Sequence, residues 1–141
     1  MALSADRIVR KRGKGIPTRR TYLMAASTTI YRGSIVTTNA SGLAVPAADT
    51  AAFNTVGIAT NGQVSAASGS YYITVECGYE FLLPVAAGIT QADVGSKAVV
   101  VDDASVTDAA AGTNDVVVGT IVEYLDETAD KAWIAVEGIA R

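Results

Sequence analysis

The most informative absence from this sequence is histidine, which does not occur among its 141 residues. Histidine is the most frequent general base in enzymes and the commonest ligand of transition metals. Cysteine occurs once, at Cys77, so no disulfide can form within the chain. The glycine-rich phosphate-binding motifs and the GxSxG motif of hydrolases are also missing. We therefore expect no enzymatic activity, no cofactor and no metal site.

Long apolar runs and large apolar side chains are also scarce. Half of the residues are hydrophobic, but the chain has only one Trp and two Phe. No run approaches the ~18 apolar residues that a membrane-spanning helix needs. The charged N-terminal residues are not followed by the apolar segment of a secretory signal. We therefore expect one domain of about this length, made in the cytoplasm, with no membrane partner.

The dispersed carboxylates have an ordinary structural interpretation. Glu76 and Glu80 are separated by four positions in a predicted strand, which places them ~13 Å apart if the strand is straight. Catalytic carboxylate pairs of glycosidases lie closer together, so we interpret these two as a solvent-exposed face. Cys77 falls on the apolar side of the same strand and is expected to be buried.

Charge is distributed very unevenly along the chain. Residues 1–20 contain seven bases and one acid, whereas residues 21–141 contain four bases and thirteen acids. Glycines and a proline interrupt the basic segment, and it has neither helical nor strand periodicity. We expect an arm over residues 1–21 that is extended or disordered in the free protein and binds a partner through its bases. These bases are Arg7, Arg10, Lys11, Arg12, Lys14, Arg19 and Arg20.

The remaining residues, 22–141, have the pattern of an all-β domain. Apolar residues alternate with polar ones over 71–85, as in a strand with one buried face, and Gly78 interrupts this run where a bend is expected. Helix is predicted only as a turn that Thr90 caps and Gly95 ends, and as a second short turn near 47–53. Further strands are predicted at 22–25, 34–38, 43–45, 55–60, 97–102, 116–124 and 131–137, the last two as a hairpin.

Short strands separated by turn residues predict a single antiparallel β-barrel or sandwich. A jelly-roll arrangement stays open. For the arm, the charge pattern favours a tether onto an acidic protein surface over a solvated tail or a nucleic-acid-binding segment. The arm lacks the interleaved aromatic residues that stack on bases, and the acidic body would repel phosphate.

Seven short segments occur one after another between Tyr31 and Val136. In this order they resemble the capsid decoration, or cement, proteins of tailed bacteriophages, over about three-quarters of the chain. The segments are Tyr31-Arg32-Gly33-Ser34-Ile35-Val36, Gly42-Leu43-Ala44-Val45-Pro46, Val56-Gly57-Ile58-Ala59, Gly78-Tyr79-Glu80-Phe81-Leu82-Leu83-Pro84, Thr90-Gln91-Ala92-Asp93-Val94-Gly95-Ser96-Lys97, Val118-Gly119-Thr120-Ile121-Val122 and Ala132-Trp133-Ile134-Ala135-Val136.

The resemblance implies a structural protein of the virion, on the exterior of an icosahedral capsid. Such a protein would be a dimer or trimer that cements contacts between capsomers of the major capsid protein, without catalysis. The basic arm lies outside the pattern, so its role is not implied by the resemblance. Two alternatives stay open: a small β-barrel that binds nucleic acid through the arm, and another virion component such as a tail or fibre domain.

Overall fold

The computed structural model describes residues 2–13, 18–67, 70–86, 89–109, 112–125 and 131–137. These residues form antiparallel β-sheets, with one short 3-10 helix at Gln91–Asp93. The strands are β1 (Lys11–Arg12), β2 (Thr18–Leu23), β3 (Thr29–Ile30), β4 (Ile35–Thr38), β5 (Ala44–Pro46), β6 (Asn54–Ala59), β7 (Gln63–Val64), β8 (Tyr72–Cys77), β9 (Tyr79–Pro84), β10 (Lys97–Val100), β11 (Val106–Asp108), β12 (Val117–Leu125) and β13 (Lys131–Val136).

Two large sheets make up a sandwich, which confirms the all-β prediction. One sheet has six strands in the order β1-β9-β13-β12-β10-β11, and the other has five in the order β2-β8-β6-β4-β5. A small third sheet pairs β3 with β7. The predicted hairpin at the C-terminal end is present, because β12 and β13 pair antiparallel from Thr120↔Ala135 to Leu125↔Lys131.

The central strands of the five-stranded sheet, β4, β6 and β8, are buried on both faces. Ile35 and Ile58 contribute to a core that includes Phe81, Leu83 and Ile134 of the six-stranded sheet. The opposite face carries a second core, which the β3 region helps to close; its members are Met24, Ile30, Val36, Ala44, Val56, Ala59, Ile73 and Val75. Two adjacent residues of one strand, such as Ile35 and Val36, therefore point into different cores.

Gly78 is the corner at which the chain passes from one large sheet to the other. The strand before it, β8, belongs to the five-stranded sheet, and the strand after it, β9, belongs to the six-stranded sheet. Gly78 has φ of 90°, a conformation that residues with a Cβ rarely adopt. The bend predicted at this glycine is confirmed, and it joins the two layers covalently.

Of the two predicted helical turns, one is confirmed and one is wrong. Thr90 and Asp93 form the expected capping box around the 3-10 helix, with Thr90 N donating to Asp93 Oδ2 at 2.7 Å. The short helical turn predicted near 47–53 is wrong, because these described residues form non-helical turns. There the Asp49 carboxylate accepts hydrogen bonds from the backbone N–H groups of Thr113 and Asn114. These bonds hold the loop against a distant part of the chain without a helix.

The described part of the arm differs from the free segment that the sequence suggests. The boundary expected after residue 21 falls within β2, whose six residues pair with β8 from Thr18↔Cys77 to Leu23↔Tyr72. Further upstream, β1 pairs with β9 through Lys11↔Phe81 and Arg12↔Glu80. The arm thus contributes an edge strand to each large sheet. Among the described residues, no helix is long and apolar enough to cross a membrane.

The close approach of β12 and β13 gives a test of the packing. A Cβ built on Gly119 would lie 1.9 Å from the carbonyl oxygen of Ala135, which is backbone and cannot rotate away. We expect Gly119→Ala to lower the free energy of unfolding by about 3 kcal/mol, because the two strands must separate. Urea denaturation measures this, with Thr120→Ala, an exposed neighbour, as the control. Equal stability of the two variants would contradict the packing.

Candidate protein-binding surface

The N-terminal segment is held along the body by its backbone. Leu3 N donates to the Asp103 carboxylate at 2.8 Å, and Arg7 N donates to the Arg32 carbonyl at 3.0 Å. The carbonyl of Arg10 accepts from Leu82 N at 2.9 Å. These contacts are spread from residue 3 to residue 10, so the segment lies against both large sheets before it reaches β1.

Arg7 is the most deeply inserted base of the arm. Its Nε donates to the Gly33 carbonyl and its Nη1 to the Ala104 carbonyl, both at 3.0 Å. Burial lowers the pKa of Arg7 from its ordinary value, and the nearby carboxylates of Asp103 and Asp102 oppose that shift. Burial in turn raises the pKa of Asp103. Arg7 therefore fastens the arm to the turns before β4 and β11.

Gly33 makes this insertion possible. It has φ of 82°, and a Cβ added to it would lie 2.6 Å from Cγ of Arg7 and 2.7 Å from the Arg7 carbonyl oxygen. Any larger residue would push the arm away from the turn. Gly33, which contributes to the sequence resemblance together with Ser34, is thus also a residue against which the arm packs.

Lys11 neutralises a buried carboxylate. The Glu76 side chain is only 7% exposed, and its Oε1 accepts from Lys11 Nζ at 2.5 Å. Lys11 Nζ also lies 5.0 Å from the centroid of the Tyr79 ring. The sequence-based interpretation of Glu76 as solvent-exposed is therefore wrong, because the arm covers it. A buried carboxylate without a cation is strongly disfavoured, so this contact ties the arm to the fold.

Arg12 bridges three strands of the six-stranded sheet. Its Nε donates to Glu80 at 2.9 Å and its Nη2 donates to Glu123 at 2.8 Å. The guanidinium also lies 4.0 Å from the centroid of the Trp133 ring. The hydrogen bond to Glu123 is the main reason that the pKa of Arg12 is raised above its ordinary value. Arg12 thus holds β1 against side chains of β9, β12 and β13.

The other described bases of the arm face solvent. Arg10, Arg19 and Arg20 are exposed, and their side chains form no hydrogen bond or ion pair with any described residue. Lys14 lies outside the described residues. The six described bases of the arm, which look equivalent in the sequence, therefore divide into three that hold the arm and three that are available to a partner.

Two of these available bases lie on an open sheet edge. In the order of the five-stranded sheet, β2 is terminal and pairs only with β8 among the described strands. Arg19 and Arg20 are in the middle of this six-residue strand. An open edge presents unpaired backbone groups to which an extended segment of another chain can add, and edge cations suit an acidic one.

The structure also brings a base of the body, Arg32, to this surface. Arg32 belongs to the body, immediately before Gly33, yet its exposed side chain lines the same groove as Arg7, Lys11 and Arg19. In the sequence, Arg32 is notable only as one of four bases after residue 20 and as a member of the first resembling segment. Its position beside the arm depends on the fold.

Other candidate chemistry is limited within the part of the chain that the structure describes. No group of three or more His, Cys, Asp or Glu side chains there could hold a metal ion. Cys77 is buried, as predicted, and 1% exposed. Another groove, of about 470 Å³, is lined by one base and two acids, Lys97, Asp115 and Glu137, among apolar and neutral residues. The basic surface around the arm is therefore the stronger candidate.

Comparison with known proteins gives no assignment. No protein-family model matches the sequence, and no curated protein matches it significantly.

The buried Glu76 carboxylate gives a second prediction. Lys11→Met preserves the length of the side chain but removes the cation, and we expect the free energy of unfolding to fall by about 2 kcal/mol, below the full range for buried pairs because Lys11 is partly exposed. Adding Glu76→Gln should recover most of this loss. Urea denaturation measures both, with Lys97→Met as the control. No recovery in the double variant would contradict the pairing.

Arg12 can be followed through Trp133, the only tryptophan in the chain. Arg12→Ala removes the guanidinium from the ring, and we expect a shift in the emission maximum together with faster hydrogen exchange at Leu82 N, which donates to the arm. Arg10→Ala, which removes an exposed side chain without a described partner, serves as the control. If Arg12→Ala and Arg10→Ala give the same emission and exchange, Arg12 does not hold the arm.

Proposed function

We propose that this chain is a non-catalytic structural protein that binds the outer surface of an icosahedral phage capsid. There it cements contacts between capsomers of the major capsid protein, as a dimer or trimer made in the host cytoplasm. The observation that carries the proposal is the exposed basic edge strand β2, with Arg19 and Arg20 unpaired among the described residues, on an otherwise acidic body.

The placement of the resembling segments supports this proposal. They lie along strands of the sandwich and at the turns that lead into them, rather than in one isolated motif. In chain order they occupy the turn into β4 and its first two residues, all of β5 with the turn before it, then β6, β9, the 3-10 turn before β10, then β12 and β13. A decoration protein requires a rigid body of this kind, because many weak contacts around a shell are additive only when their geometry is fixed.

Charge supports a protein partner over nucleic acid. Thirteen acids follow residue 20, and two of them, Glu80 and Glu123, are engaged with the arm at the surface. Three of the arm bases are consumed in holding the arm, so fewer remain for phosphate contacts than the sequence suggests. Affinity for nucleic acid depends on the number of phosphates that the protein neutralises. Binding of an acidic protein segment requires only that opposite charges face each other at the contact.

A point substitution tests this proposal better than truncation. Deleting residues 1–20 would also remove Lys11 from the buried Glu76 and take away the first half of β2. Loss of capsid binding would then not distinguish a lost contact from a damaged fold. Arg20 is exposed and without a described partner, so its substitution leaves the arm in place.

We expect Arg20→Glu to weaken binding to purified empty capsids at least tenfold, because it places a carboxylate where the partner is acidic. Co-sedimentation gives the affinity, and electron microscopy of the mixture locates the bound protein. Lys97→Glu has the same charge change on the other large sheet and should bind like the wild type. Failure of the wild type to bind any tested capsid at low salt, with tight salt-dependent binding to DNA, would replace this proposal with the nucleic-acid alternative.

A further inference from the structure

A groove of about 230 Å³ lies where the arm crosses the five-stranded sheet and approaches β9. The arm forms one wall, and the turn before β4 forms another. Its lining contains four bases, one acid and several apolar residues. The bases are Arg7, Lys11, Arg19 and Arg32, and the acid is Glu76.

The groove concentrates positive charge. Its bases come from three parts of the chain: the docked arm, strand β2 and the turn before β4. Glu76 is the only acid in the lining, and it is already paired with Lys11 at 2.5 Å. A net excess of three positive charges remains. In a cleft with apolar walls such a charge acts more strongly than on an open surface.

Among the side chains that line the groove, hydrogen-bond donors outnumber acceptors. Arg19 and Arg32 are exposed, and their side chains pair with no described residue. Nη2 of Arg7 is buried and has no hydrogen-bond partner among the described residues. Guanidinium groups bind carboxylates in a planar, two-point geometry. The groove therefore has the donors to hold an acidic group.

Apolar surface accompanies the charge. Ile58, Ala59 and Phe81 are each 3% exposed and form a closed floor. Ile8 stands at the rim and is 78% exposed, the largest value among the exposed large hydrophobic residues of the described chain. An isolated phosphate would leave Ile8 uncovered. A peptide whose acidic residue is flanked by an aliphatic one would use both features, as in interfaces where an apolar centre meets a polar rim.

We propose that this groove is a binding site for an acidic, extended peptide segment, whose carboxylate pairs with Arg19 and Arg32 and whose aliphatic neighbour packs on Ile8. The inference rests on the proposed function only for the origin of the segment, which would belong to the capsid surface. The chemistry of the site does not depend on that origin.

The test uses a blocked peptide of alternating Glu and Leu residues and a matched peptide of alternating Gln and Leu. Titration into the 15N-labelled full chain, followed by NMR, is expected to shift the amide signals of Gly33, Ala59 and Thr60 with the Glu peptide only. Arg32→Glu should weaken binding at least tenfold, and Lys97→Glu should leave it unchanged. Because the Arg32 side chain has no described partner, the melting temperature of Arg32→Glu should match the wild type.

Two results would overturn the proposal: equal shifts with both peptides, or unaltered binding by Arg32→Glu. Displacement of the Glu peptide by a short single-stranded oligonucleotide at equal concentration would also overturn it, in favour of a phosphate site. Capsid binding separates this inference from the proposed function. If Arg32→Glu binds capsids like the wild type, the groove is not the contact although the function stands. If no capsid binds but the peptide titrates, the function fails and the groove stands.

Discussion

The burial of Glu76 is the constraint on which the N-terminal half of this structure depends. Its carboxylate lies under the arm and is 7% exposed, so its charge must be neutralised by a nearby cation. Lys11 is that cation, and it is 65 residues away in the sequence. Once Lys11 is in place, Arg12 falls beside Glu80 and Trp133, and the backbone of Lys11 and Arg12 can pair with β9. This ion pair thus fixes the part of the arm around β1, while Leu3 and Arg7 hold the part that precedes it.

Because of the corner at Gly78, the contacts of the arm involve both large sheets. The residue follows Cys77 at the end of β8 and precedes β9, so the strand that carries Glu76 and the strand that carries Glu80 belong to different sheets. Lys11 and Arg12 are adjacent, yet their acidic partners are on opposite sides of this corner. The arm therefore fastens the two large sheets to each other as well as to itself. A chain with mostly small apolar residues gains stability from such a connection.

Much of the sandwich could be predicted, because its longest strands have local signals. The alternation over 71–85 and the hairpin of β12 and β13 depend only on the spacing of apolar residues and on turns. The two-residue strands β1, β3 and β7 are too short to show any period. The interpretation of Glu76 fails for a related reason: a carboxylate at an alternate position indicates a solvent-exposed face unless another segment covers it, and the sequence does not place that segment.

The division of the arm bases could not be predicted for a physical reason. Arg12 pairs with Glu80 and Glu123, which are 68 and 111 residues distant, and Arg7 binds carbonyls 26 and 97 residues away. The sequence showed that an acidic body follows a basic segment, and this charge pattern is equally compatible with a partner in another molecule or in the same one. Charge complementarity alone does not distinguish an intramolecular partner from an intermolecular one, because the distances between the charges depend on the fold.

The docked arm changes the expected energetics of binding. A disordered tether that orders on its partner loses conformational entropy at that moment, on the order of 1–2 kcal/mol for each backbone residue fixed. Here the described residues of the arm are already placed by Asp103, Glu76, Glu80 and Glu123. Folding has therefore already ordered these residues, and a partner meets a preorganised surface. The arm thereby has a different role from a free tether: Arg7 and Lys11 help to shape the groove, and Arg19 and Arg32 are the bases that the proposed peptide would contact.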